Sequence, residues 1–187
     1  MAKVCVLLAQ GFEEIEAITI IDVLRRGEID VTTLAVRGTG PGSLEVAGSH
    51  DVTVRADMTL TAGAKLPWDM VILPGGVPGS MHLRDDADVQ ALLKKQNDRG
   101  GKLGAICAAP LALAAAGILQ GRRATCYPSV EKELTGATCV VEPVVRDGNV
   151  VTSRGIGTSL DFALDLVRDL RSREVAEKLR SAMLVRT

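Results

Sequence analysis

The chain has 187 residues, 47% of them hydrophobic but only 2% aromatic, and a formal net charge of -1. That length suits one domain, 1–187, with a large core and is short for two, and the near-neutral charge without single-sign blocks argues against a nucleic-acid or membrane surface. A core so poor in aromatics is built from Val, Leu, Ile and Ala, the mix of a buried parallel sheet whose strands read as near-continuous aliphatic runs.

The first strand is read over Lys3 to Ala9, and Gln10-Gly11 turns it into a helix from about Glu13 to Arg26. Ile15, Ile18, Ile21, Val23 and Leu24 recur at helical spacing, Glu13 and Glu14 suit the positive end of the dipole, and Gly27 supplies the stop. A strand from Asp30 to Val36 completes a β-α-β unit, the seed of a doubly wound sheet. After the Gly/Pro-rich stretch 38–43, Leu44-Val46 and His50-Val54 read as an edge hairpin. Met70 to Leu73 is the next aliphatic strand, closed by Pro74-Gly75-Gly76. Asp85 or Asp86 caps a helix to about Asn97 or Asp98, and Gly100-Gly101 end it. The run KLGAICAAP is strand, then Cys107, then a Leu/Ala helix to about Ala116. Short strands are expected at Arg123 to Cys126 and Thr138 to Val141, with a short helix from Ser129 to Leu134 between them. A hairpin on Asp147-Gly148 follows, then a strand ending at Ser153-Arg154-Gly155, a helix to about Leu170 and a last helix near Arg173 to Leu184.

No apolar run is long enough to span a bilayer and no cleavable leader is visible, so a cytoplasmic protein is expected. Cys5, Cys107, Cys126 and Cys139 lack C-x-x-C spacing and read as thiols. With only His50 and His82, and no Cys/His cluster, no metal is expected. No phosphate-cradling motif is present, and no organic cofactor is expected.

Ligands of open parallel sheets bind outside the carboxyl ends of the strands. Four such ends carry marked turns, at Ala9-Gln10-Gly11, Pro74-Gly75-Gly76, Ile106-Cys107-Ala108 and Ser153-Arg154-Gly155. Cys107 is the sharpest of these features. At a strand-to-helix junction its sulfur would stand over free N–H groups that favour thiolate, with Gly104, Ala105, Ala108 and Ala109 leaving room for a strained turn. The plain alternative is a space-filling core cysteine. Glu16 is the second candidate, as a neutral buried acid on that sulfur, against the reading that Glu13, Glu14 and Glu16 are solvated helix-start charges. Gly75 and Gly76 offer unobstructed N–H groups for an oxyanion. Arg154 would bind an anion or pair with a helix acid such as Asp22, while His50 and His82 read as surface residues. Cys5, Cys126 and Cys139 read as strand packing.

The segments GFEEIEA with IDVLRRG, DMVILPGG, GAICAAP, TCYPS and VVTSRGIGTSLDFAL, spread over nearly the whole chain, resemble the DJ-one/ThiJ/PfpI superfamily. The closest resemblance is to the branch of the parkinsonism-associated protein deglycase and its bacterial homologues. The resemblance implies a flavodoxin-like three-layer α/β sandwich and a homodimer. It makes Cys107 the nucleophile and Glu16 its protonated acid, with Gly75, Gly76 and the Ala108 amide as oxyanion site and Arg154 near the pocket, partly across the dimer interface. Its activity would be that of a glyoxalase or deglycase acting on 2-oxoaldehydes or their adducts with thiols and amines. An oxidation sensor or chaperone using Cys107 is the alternative. Tyr127 stands where relatives often have histidine, and His50 where they often have arginine before Asp51; either could have an auxiliary role. Ala108 replaces the histidine of the peptidase branch, which disfavours a peptidase, and nothing supports a thiamine-pathway role.

Overall fold

The computed structural model describes residues 1–38, 40 and 42–186, so residues 39 and 41 of the Gly/Pro-rich stretch lie outside the described residues. The elements run β1 Lys3–Ala9, α1 Glu14–Arg26, β2 Asp30–Val36, β3 Glu45–Ala47, β4 Thr53–Arg55, β5 Met58–Thr59, α2 Leu60–Gly63, β6 Met70–Leu73, α3 Gly79–Asp85 and α4 Ala87–Asp98. They continue with β7 Lys102–Ile106, α5 Pro110–Ala115, β8 Arg123–Ala124, β9 Thr138–Cys139, β10 Val144–Asp147, β11 Val150–Ser153, α6 Ser159–Leu170 and α7 Arg173–Ala182. Two 3-10 segments, Pro128–Glu133 and Ile156–Thr158, interrupt the series.

Seven strands form one sheet in the order β10-β11-β7-β6-β1-β2-β5, parallel except for the β10–β11 hairpin. The order reverses at β1, the switch point of a flavodoxin-like sheet. From β1 the chain crosses one way to β2, and from β6 it crosses the other way to β7. Right-handed crossovers therefore put α1 on one face and α3 and α4 on the other. α6 packs on α1, and α7 on α6, while α3 packs on α4 and α5. From Val4 to Ala9, β1 is wholly buried, which is why its sequence shows no alternation.

β3 and β4 pair with each other as a separate two-stranded sheet, so the hairpin does not extend the edge of the main sheet. In α1, Ala17, Ile20, Ile21, Val23 and Leu24 are buried, but Ile15 and Ile18 face outward. Both share the helical spacing of the buried residues. Asp86 caps α4 by accepting from the Asp88 and Val89 N–H groups. No helix of the described residues is long and apolar enough to cross a membrane.

Candidate active site

β1, β6, β7 and β11 are consecutive neighbours, so the four marked turns stand side by side at one edge of the sheet. Cys107 sits directly after β7 with φ +61, a left-handed backbone that costs a non-glycine residue about 1–2 kcal/mol. The strain is held from both sides. The Cys107 N–H donates to Ser153 O at 2.9 Å, and the Cys107 carbonyl accepts from Tyr127 N at 2.8 Å. α5 begins only at Pro110, after a turn closed by Ala109 N on Ile106 O, so the sulfur does not sit on the first turn of a long helix as expected. The donors it meets are instead the Gly76 and Ala108 amides.

Glu16 lies in the first turn of α1 and is completely buried. Glu13 caps that turn, its Oε2 accepting from Glu16 N at 2.7 Å. One Glu16 carboxyl oxygen, Oε2, accepts from Gly75 N at 2.8 Å. The other has no nitrogen or oxygen partner; the group that interacts with this carboxyl is the Cys107 thiol. Gly75 was expected to donate to an oxyanion, but its N–H is committed to Glu16. The position nonetheless requires glycine, because a Cβ there would lie 2.5 Å from Cys107 Cβ and 2.6 Å from Glu16 Oε2. Gly76 has φ +96, and its amide and that of Ala108 remain directed at the Cys107 sulfur.

Burial, opposed by the Gly75 and Cys107 hydrogen bonds, pushes the Glu16 carboxyl up to about 7, with Glu13 adding repulsion. Burial, then the charge and hydrogen bond of Glu16, push the Cys107 thiol up to about 12, against the lowering effect of the Gly76 and Ala108 amides. The thiolate expected from helix dipoles is thus not the form favoured beside an ionised Glu16. Because the two groups face each other, ionisation of one opposes ionisation of the other.

The remaining expected site residues are spread around this centre. Tyr127 is half-exposed, is tied to Cys107 through its backbone, and has its ring against Gly155. Arg154 pairs with neither Asp22 nor an open anion site: its Nη1 donates to Glu131 Oε1 at 2.8 Å and to Cys126 O at 3.0 Å. His50 is mostly exposed in the β3–β4 turn, with Nδ1 2.9 Å from Glu14 Oε2. Burial of Glu14 is outweighed by hydrogen bonds from the side chain and N–H of His50 and from Ser49, which bring its carboxyl down to about 2. Glu13, Glu14 and Glu16 are all buried, so they are not the solvated charges of the plain reading. Glu13, Glu14 and His50 also gather their ligand atoms within 4.8 Å, a grouping not visible from two isolated histidines. Each of these side chains is engaged in the capping or pairing just described. His82 lies on α3, with Nδ1 2.9 Å from Gln10 O. Cys5 and Cys126 are buried as expected, but Cys139 is exposed and is not packing the sheet. Neither Glu131 nor Glu14 drew notice as a partner, since nothing at their positions marks the distant Arg154 or His50.

A flavodoxin-like sheet with a strained cysteine at its carboxyl edge, a buried carboxyl beside the sulfur and two amides facing it defines a class of cysteine-centred α/β proteins. The DJ-1/PfpI family profile matches residues 2–169, and the chain belongs to that family. It is 40% identical over 182 residues to Protein dj-1beta of Drosophila melanogaster, covering 96% of this chain and 95% of the fly protein. The crystal structure of that fly protein superposes with a TM-score of 0.94 at 39% identity, over 100% of this chain and 99% of the other. Protein DJ-1 homolog B of Arabidopsis thaliana is 39% identical over 184 residues, 98% of this chain, which spans only 41% of the plant protein. The glutathione-independent glyoxalase DJR-1.2 of Caenorhabditis elegans is 36% identical over 169 residues, 89% of this chain and 87% of that protein.

Proposed function

We propose that the chain is a cofactor-independent glyoxalase or deglycase-type enzyme that uses Cys107 as nucleophile on 2-oxoaldehydes such as methylglyoxal, or on their early adducts with thiols and amines. The observation that carries this reading is the buried Glu16 carboxyl beside the Cys107 sulfur, with the Gly76 and Ala108 amides on the same atom. Similarity to a glutathione-independent glyoxalase supports it.

In this reading the Cys107 proton moves to Glu16 and the thiolate attacks the aldehyde carbon, giving a hemithioacetal. The amides of Gly76 and Ala108 stabilise the alkoxide, and Gly75 is left to hold Glu16. Glu16 gives the proton it took from Cys107 to that alkoxide, completing the hemithioacetal. As the carboxylate it then takes the proton from the attacked carbon, forming an enediolate, and delivers it to the neighbouring carbon while the hydroxyl proton passes to the neighbouring oxygen. Water hydrolyses the resulting thioester, releasing a 2-hydroxy acid and the thiol. The enzyme would work in the cytoplasm as a homodimer, a state supported by Ile15 and Ile18, which α1 leaves exposed on one flank.

The test is methylglyoxal consumption with formation of lactate. Cys107→Ser is expected to abolish turnover; a variant that keeps the wild-type rate would sink the assignment. A second reading, peroxide sensing by oxidation of Cys107 to the sulfinic acid, is favoured by the same neutral acid, which can donate to a sulfinate oxygen. It predicts oxidation of Cys107 ahead of Cys5 under mild peroxide, with no carbonyl turnover required.

A further inference from the structure

Outside this centre the chain has a second pair of thiols. β8 and β9 form a two-residue parallel ladder in which Cys139 stands opposite Ala124, closed by Thr138 N on Arg122 O at 2.8 Å and Val140 N on Ala124 O at 2.9 Å. Two residues beyond Ala124, the chain turns inward at Cys126, which is fully buried, whereas Cys139 is exposed. Both residues converge on Glu131: the Cys139 thiol donates at 3.5 Å to Glu131 O. Arg154 fastens the same cluster through Cys126 O and the Glu131 carboxylate. The group therefore unites one accessible sulfur with one protected sulfur, the arrangement of a peroxide-reactive thiol and its resolving partner.

We propose that Cys126 and Cys139 are a reversible modification site, closed into an intramolecular disulfide by hydroperoxides and reopened by dithiols. A peroxide oxygen transfers to the exposed Cys139, breaking the O–O bond and leaving a sulfenic acid with water or an alcohol. The Cys126 sulfur attacks that sulfenic sulfur, and its proton leaves with the sulfenic hydroxyl as water. Two thiols lose two electrons in all, and the peroxide gains them. A disulfide needs the Cα atoms within about 4.4–6.8 Å. β9 is two residues long and exposed at both, so it is the element able to adjust. The bond would clamp the 3-10 segment Pro128–Glu133 and, through Tyr127, the backbone contact on Cys107.

The site does not depend on the proposed activity, so its test is made in the full chain carrying Cys107→Ser, which leaves three of the four thiols. After hydrogen peroxide treatment, alkylatable thiols should fall from three to one and return to three with dithiothreitol. Tryptic peptides 124–132 and 133–146 should be recovered joined, lighter than their sum by two hydrogens. Adding Cys139→Ser, an exposed change that spares the core, should abolish the link and keep Cys126 alkylatable. The proposal is overturned if Cys139 stops at sulfenic or sulfinic acid with Cys126 free, or if the link forms between two chains.

Discussion

Replacing Glu16 with glutamine keeps the shape of the side chain and removes its titration, which isolates what the buried carboxyl does. The wild-type group has an ordinary value of 4.5 and is pushed up to about 7 in the fold, chiefly by burial. Between those two values the folded chain holds one proton more than the unfolded chain, so stability falls as pH rises. The contribution is fully present below pH 4.5 and fully lost above about pH 7. The gap, at about 1.4 kcal/mol per pH unit, amounts to about 3 kcal/mol. Glu16 is the group whose titration between pH 4.5 and 8 the substitution removes, so urea unfolding over that range should show Glu16→Gln gaining about 3 kcal/mol on the wild type. Its activity should move the opposite way, falling roughly 100-fold or more with the loss of the proton shuttle. In the variant, ultraviolet absorbance should also show the Cys107 thiolate forming at lower pH, because the Glu16 charge that raises it is gone. A stability difference that stays flat between pH 4.5 and 8 would refute the reasoning.

Gly75→Ala places a methyl group 2.5 Å from Cys107 Cβ and 2.6 Å from Glu16 Oε2, so the pair must separate. Overpacking should lower stability by about 1–3 kcal/mol, and misplacement of the carboxyl should cut kcat by roughly 100-fold; urea melts and methylglyoxal turnover check both. Arg154→Leu removes the hydrogen bonds to Cys126 O and Glu131. It should lower stability by about 1–2 kcal/mol while leaving turnover within about tenfold, as for a group that holds a loop; a complete loss of activity in a folded variant would restore the anion-binding role.

The parts of this fold legible in the sequence are those set by local pattern. β1, β6 and β7 are parallel strands buried throughout apart from the leading Lys3 and Lys102, and announce themselves as aliphatic runs. The Asp86 cap and the turn at Gly100 mark the ends of α4. Cys107 stood out as a strand-to-turn cysteine among small residues, whereas Glu16 was one of three acids at a helix start and was singled out with the help of the family resemblance. Less legible was anything fixed by a distant partner. The Gly75 N–H was open to two uses until α1 brought Glu16 onto it, and Arg154 found Glu131 rather than Asp22, which binds Arg26 on its own helix. α3 went unread because a seven-residue helix opening on Gly79 has no sequence cap. Ile15 and Ile18 fit the helical period yet face outward, since periodicity specifies a stripe but not which flank meets the sheet.

The raised thiol pKa and the nucleophilic role proposed for Cys107 are compatible because the relevant quantity belongs to the pair. Of the three influences raising the thiol, the second and third come from an ionised Glu16, and both vanish when Glu16 is protonated. Transferring the sulfur's proton to the carboxyl leaves the number of buried charges at one, so no further ion is desolvated. What changes is which donors the anion meets: the carboxylate has Gly75 N, whereas the thiolate has Gly76 N and Ala108 N. A carboxyl near pH 7 is poised to accept that proton and give it back. The strained turn at Cys107 is then understandable as the conformation that aims both amides at the sulfur, which a relaxed strand end would not do.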